Sequence, residues 1–300
     1  MAKKSVYQMQ QEAHLEVASQ IRALMMEHGT QWIKSWSGKA GLTPTNALTQ
    51  QTYQGFNWVR LNLAATAKGY ASNFWATYAQ WLELGFQVQA GEKSVGGFRL
   101  VTGVKDKDTE DERHYTAPKP FNVFNADQVA DADGNRPAFA KPVEVTNIPT
   151  VADDFVKDCG AILKNIKTDR AFYVPSQDFI NMPHCDQFNT VEDYQATLLH
   201  ELTHWSGHHS RLDRKFGTSF GTKDYAQEEL VAELGAAMLC SQLEISVTPR
   251  EDHAKYLNNW MQKLKDEPSA FFKAATAAST AATFLTDLAG QSSQDETIAA

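Results

Sequence analysis

Cysteine is scarce. The 300 residues hold three, Cys159, Cys185 and Cys240, and no two stand in C-x-x-C spacing. That excludes a disulfide framework or a cysteine zinc site. It suits a reducing cytoplasm in which each thiol is a small buried hydrophobe. Long apolar runs are missing too. No stretch of 18 apolar residues exists, so neither a transmembrane helix nor a membrane partner is expected. Met-Ala-Lys-Lys-Ser at the start has no apolar stretch behind it and does not read as a signal peptide. Repeats and long low-complexity tracts are absent. Basic charge is short overall, with a net charge of −8, but unevenly so. Residues 1–105 carry ten basic and five acidic side chains, residues 106–150 five and nine, and residues 151–300 thirteen and 22. A mildly basic front and an acidic back suggest different partners.

What is present centres on Thr190–Glu233. His200-Glu-Leu-Thr-His204 is an H-E-x-x-H. On a helix, residues four apart share a face, so His200 and His204 present two imidazoles to one metal ion, and Glu201 sits about 100° around, placed to hold a water. The flanks read as helix. Thr190 with Asp193 resembles a capping box, Tyr194, Leu198, Leu199, Leu202 and Trp205 follow at helical spacing, and Gly207 suits the end. Asp224-x-x-Gln227 reads as a second box opening a helix to about Leu243. On it, Glu229 is the expected third ligand, with Glu233 one turn on and suited to holding a ligand histidine. The pattern H-E-x-x-H-x-x-G-x-x-H fails, because position 210 is Ser. The chemistry expected is that of a zinc hydrolase: ligands His200, His204 and Glu229, base Glu201, and Tyr225 or His208 as oxyanion donors, with zinc or another divalent metal such as manganese.

The rest of the chain suggests two domains, 1–140 and 151–290, with a linker in the Asp-, Gly- and Pro-containing stretch 126–150 and a loose tail from 291. Residues 5–28 read as an amphipathic helix capped by Gly29, and residues 72–84 as another helix. Phe86–Lys93 and Gly96–Thr102 alternate like strands around a turn at Gly91, Asp106–Arg113 reads as a hairpin tip, and Phe121–Asn125 as a short strand. Behind the linker, a helix near Val151–Lys164 precedes short strands at Ala171–Pro175 and Asp178–Pro183. A free strand edge before an H-E-x-x-H helix suits a peptide held by main-chain hydrogen bonds. Glu251–Lys265 and Ser269–Leu288 read as two more helices.

The basic, aromatic front suits single-stranded nucleic acid. Trp32, Trp36, Tyr53, Phe56 and Trp58 are candidates to stack bases, and Lys34, Lys39, Arg60, Lys68, Lys93 and Arg99 to meet phosphates. The competing reading is that most of these rings fill a small core.

Specific pieces run through both halves. The front holds Pro44-Thr-Asn-Ala-Leu-Thr, Tyr53-Gln-Gly-Phe-Asn, Trp81-Leu-Glu-Leu-Gly, Gly91-Glu-Lys and Phe121-Asn-Val-Phe-Asn. The back holds Tyr173-x-Pro, Asp178-x-Ile-x-Met-Pro, the metal motif continuing into Trp-Ser-Gly, Ser210-Arg-Leu and Glu228-Glu-Leu-Val-Ala-Glu-Leu. In these the chain resembles the ArdC antirestriction family and its relatives in conjugative primase-type proteins. The resemblance implies an α+β protein with a front domain that binds single-stranded DNA and a zincin-like metallopeptidase back domain. It also implies a role in protecting incoming plasmid DNA from host restriction, with restriction-enzyme subunits as further partners.

Overall fold

The computed structural model describes residues 4–28, 43–105, 113–139, 151–165, 168, 170–216, 223–245 and 254–299. Trp32, Lys34, Trp36 and Lys39, Gly29, the hairpin tip at 106–112 and residues 140–150 of the expected linker lie outside them. The chain divides into two units. The first comprises Met1–Val17, Pro44–Tyr53 and Asn57–Phe139; the second comprises Ala18–Thr43, Gln54–Phe56 and Ala140–Ala300.

Helix α1 (Val6–His28) opens the chain. In the first unit, β1 (Thr45–Asn46), β2 (Phe74–Ala76), β5 (Arg113–Asn125) and β4 (Val95–Lys105) form a sheet in the order β1-β2-β5-β4. β1 runs parallel to β2 and the other pairings are antiparallel. A small pair joins β3 (Gln87–Val88) to β6 (Val129–Ala130). Helix α2 (Gly55–Lys68) carries Leu61 and Ala65 into a core with Trp75 and Val123. A second core gathers Ala47, Ala76, Trp81, Ala126 and Val129, with Phe74, Phe86, Phe124 and Phe139 against it.

Three expectations change here. Residues 72–84 are not one helix. Phe74–Ala76 extend into β2, and only α3 (Tyr78–Glu83) is helical, because Thr77 caps it: its hydroxyl accepts from Gln80 N at 3.3 Å and its N–H donates to Gln80 Oε1 at 3.0 Å. The strands around Gly91 do not pair with each other; β3 joins β6, and β4 joins a β5 far longer than Phe121–Asn125. Residues 126–139 are not linker, since Phe139 stacks on Phe74 with ring centroids 3.9 Å apart.

In the second unit, α4 (Val151–Asp158) ends before β7 (Ile162–Lys164), so the helix expected to Lys164 is shorter. The sheet order is β7-β9-β8, with β8 at Phe172–Val174 and β9 at Phe179–Asn181; β8 is an edge strand. Helix α5 (Val191–Ser206) is buried from Gln195 onward. Around it stand α6 (Lys223–Gln242), α7 (Ala254–Asp266) and α8 (Ser269–Ala299). The chain after Gly290 therefore continues as helix instead of forming a loose tail. Buried Ala274, Ala278, Ala281 and Leu285 recur at helical spacing on α8, and such small side chains let helices pack closely.

Candidate metal centre

The site begins with how α5 is started and stopped. Thr190, in extended backbone, accepts from Asp193 N at 3.1 Å through its hydroxyl, so the helix has a single side-chain cap there. Gly207 closes it in right-handed backbone, at φ −80. It is glycine for space: a Cβ there would come within 2.8 Å of Arg214 Nη2 and of the Phe216 ring. Asp224 lies inside the first turn of α6, which starts at Lys223, and so is not its cap. The two helices meet closely, as a Cβ on Gly235 would fall 2.5 Å from Thr203 Cγ2.

That approach brings His200, His204 and Glu229 together, with one donor atom from each lying within 4.8 Å of the others. His200 Nε2 is 3.7 Å from Glu229 Oε2, and His204 Nε2 is 3.6 Å from Glu229 Oε1. Donors on a tetrahedral ion at about 2.0–2.1 Å stand roughly 3.4 Å apart, so the spacing fits a bound divalent metal. The opposite edge of each ring is held. His200 Nδ1 lies 3.3 Å from Glu233 Oε2, and His204 Nδ1 lies 3.2 Å from Glu228 Oε1. A carboxylate at Nδ1 keeps the proton on that nitrogen and leaves the Nε2 lone pair for a metal.

Burial raises the Glu229 carboxyl, but the hydrogen bond from His200, the His204 and His200 charges and a hydrogen bond from Tyr225 outweigh it and hold the group at about 2. Burial opposes Glu228 in the same way, and its bonds from His204 and Arg214 still lower it. His200, His204 and Glu229 are buried together with Glu228 and Glu233, as is Glu201, the neighbour of His200 in the chain. The set is two imidazoles and an ionised carboxylate, all buried, suited to zinc, manganese and similar ions.

Tyr225 lies on α6 one turn before Glu229 and bonds to its carboxylate. His208 sits on the turn after α5 with Nδ1 2.8 Å from Ser210 Oγ. The sequence reading missed Glu228 as a histidine partner, and missed Arg214. Arg214 Nη2 donates to Glu228 Oε1 at 2.8 Å, and Nη1 donates to Ser206 Oγ at 2.9 Å. Glu228 stands beside Glu229 in Glu-Glu, which could have flagged it; nothing local marks Arg214. A second arginine, Arg211, stacks on Trp205 at 3.6 Å, donates to Trp205 O at 2.7 Å and pairs with Asp178, which also accepts from the Tyr173 hydroxyl at 2.8 Å. It ties the turn after α5 to the β8–β9 hairpin.

The candidate DNA residues divide by depth. Phe56 and Trp58 are each only 4% exposed and offer no face for a base. Phe56 packs on Phe272 with centroids 5.4 Å apart. Tyr53 is half-buried, and its hydroxyl accepts from Asn46 at 3.0 Å. Arg60 is half-buried and pairs with Glu16 at 3.2 Å. Lys68, Lys93 and Arg99 are exposed.

A helix carrying two metal-facing histidines, packed on a second helix that supplies the carboxylate, defines a zincin-like metallopeptidase fold. Residues 150–277 match the family model described as zincin-like metallopeptidase. Residues 11–138 match the N-terminal domain of anti-restriction factor ArdC. The crystal structure of antirestriction protein ArdC from plasmid R388 in its metal-free form superposes with a TM-score of 0.76, at 38% identity, covering 93% of this chain and 98% of that one. Its Mn(II)-bound form gives 0.74 at 37% identity, covering 92% and 97%. The chain belongs to the ArdC antirestriction family. It is also 35% identical over 274 residues to the uncharacterized protein y4eC of Sinorhizobium fredii (strain NBRC 101917 / NGR234), covering 87% of each. A DNA primase TraC of Escherichia coli is 34% identical over 284 residues, where the match takes in 88% of this chain but 19% of the primase.

Proposed function

We propose that this chain is an antirestriction protein that binds single-stranded DNA through its first unit, protects incoming plasmid DNA from host restriction, and carries a zinc-dependent metallopeptidase site in its second. What carries the reading is that the likeness to ArdC runs through both units while the donor set of the second is complete. His200, His204 and Glu229 would hold a divalent ion, which when bound would supply Lewis acidity towards a scissile carbonyl and lower the pKa of a water to about 7. Glu201 is the carboxylate that would serve as base, taking a proton from the attacking water and returning it to the leaving amine. Tyr225 keeps the Glu229 carboxylate oriented and ionised. Glu233 and Glu228 fix the tautomers of His200 and His204. The edge strand β8 is the element suited to hold an extended peptide.

The test is transfer of unmodified plasmid DNA into a restricting host that expresses the chain. Transfer restored towards the level seen in a non-restricting host supports the reading; transfer equal to the empty-vector control refutes it. One observation favours a peptidase over a purely structural metal site: a structural site has no use for Glu201, which is buried and follows His200 in the chain.

A further inference from the structure

The β4–β5 ribbon pairs Gly97 with Phe121, Arg99 with Lys119, Val101 with Ala117 and Gly103 with Tyr115. Cross-strand partners share a face and alternate residues return to it, so these eight side-chain positions line one side of the ribbon. Their order is not what a solvated edge requires. At the outer end a Cβ on Gly103 would lie 2.6 Å from Tyr115 Cζ and 2.8 Å from its Cε1. The phenol ring therefore lies across the glycine, flat against the strand, while Tyr115 remains 49% exposed. At the inner end the same relation recurs. A Cβ on Gly97 would fall 2.5 Å from Phe121 Cζ, and that ring stacks on Tyr53 at 6.2 Å and 21°. Between the two rings stand the exposed cations Arg99 and Lys119, and the small side chains of Val101 and Ala117 leave the surface low.

From this we infer that the outer β4–β5 face is the stacking platform for single-stranded DNA, with Tyr115 taking a base and Arg99 and Lys119 meeting phosphates farther along the same strand. The inference rests on the single-strand reading above and assigns it a surface. Three physical features select that ligand. An exposed ring seated over glycine offers a whole π-face, and every base has one to match it. Two cations about 14 Å along the strand from the ring complement a phosphate backbone. The reverse side of the ribbon pairs Leu100, 74% exposed, with Pro118, where this side pairs Arg99 with Lys119. Tyr115 and Lys119 are absent from the aromatic and basic residues singled out in the sequence, because neither composition nor local spacing marks a ring lying over a glycine on the neighbouring strand.

The experiment uses the full-length chain and a fluorescent oligo-dT single strand, read by anisotropy across a salt series. Tyr115→Ala is expected to weaken binding about five- to hundredfold with its salt slope unchanged, and Tyr115→Phe to restore it. Gly103→Val should match the loss, since its side chain occupies the ring's place. Replacing Arg99 and Lys119 together by Ala should reduce the slope of log affinity against log salt by about 1.4. Leu100→Ser should bind as wild type. If wild type binds the single strand and the Tyr115, Gly103 and cation variants bind equally well, the platform assignment falls while the single-strand reading stands. If wild type does not bind at all, the reading itself falls and takes the platform with it. A Tyr115→Ala variant that loses duplex and single strand to the same extent would make the ribbon a groove reader and overturn the stacking role.

Discussion

Glu228, Glu229 and Glu233 lie within six residues of one helix, yet they meet different atoms. Glu229 faces both Nε2 atoms, while Glu228 and Glu233 each hold an Nδ1. One divalent ion per chain is therefore expected, absent in His204→Ala and strongly depleted in Glu229→Ala. Glu228→Ala and Glu233→Ala should keep the ion with affinity lower by about 10–100-fold. Metal analysis of the purified variants checks this; full occupancy in Glu229→Ala beside an empty Glu233→Ala would exchange their roles. Arg214 supports Glu228 from the other side, and both are largely buried. Removing the guanidinium leaves a buried carboxylate short of a partner, so Arg214→Ala should cost about 3–5 kcal/mol of stability in urea unfolding. Asp178 gives a pH signature. The hydrogen bond from Arg211 depresses its carboxyl, assisted by Tyr173 and opposed by burial. A depressed carboxylate adds stability that is present above the ordinary carboxylate range and is lost as pH falls through its own lowered value. The gap in unfolding midpoint between wild type and Asp178→Asn should thus be open at pH 7 and close below about pH 4. Asn suits this test because position 178 has φ 51, which Asn tolerates better than most residues. A gap that stays constant down to pH 3 would remove the ion pair as its source.

The elements show where local signals suffice. Helix α5 was legible because a threonine cap, a periodic apolar stripe and a glycine stop coincide with a motif whose chemistry needs a helix. The reason for Gly207 was not legible, since it lies in the reach of Arg214 and the Phe216 ring, residues beyond the helix. The helical reading of residues 72–84 failed because aromatic runs fit strand and helix alike, and pairing of Trp75 with Asn125 decides the first half. Phe56 and Trp58 looked like Tyr115 in composition. Depth alone separates them, and depth is set by contacts far away in sequence. The same logic singles out Gly235, where α5 and α6 touch through Thr203. Gly235→Val should push the helices apart, cost about 1–3 kcal/mol, and lower metal affinity without altering any ligand. Unchanged metal affinity in a destabilised Gly235→Val would mean that the ligands do not depend on this contact.

At the scale of the whole molecule, the first unit is close to neutral and the second is acidic, and the two proposed activities need not depend on each other. Glu201→Gln keeps nearly the same volume and removes only the base, so metal should stay bound while any hydrolysis falls by a factor of about a hundred or more. Protection by DNA binding requires the first unit and no proton transfer at Glu201. The expectation is therefore that Glu201→Gln still protects unmodified DNA during transfer into a restricting host, whereas residues 151–300 alone do not. Regulated proteolysis demands the reverse. Glu201→Gln would then lose protection with metal content and single-strand affinity intact, and immunoblots of the host's restriction subunits would show a shortened species in wild-type cells only. That second pattern would make the peptidase site the working part and reduce DNA binding to localisation.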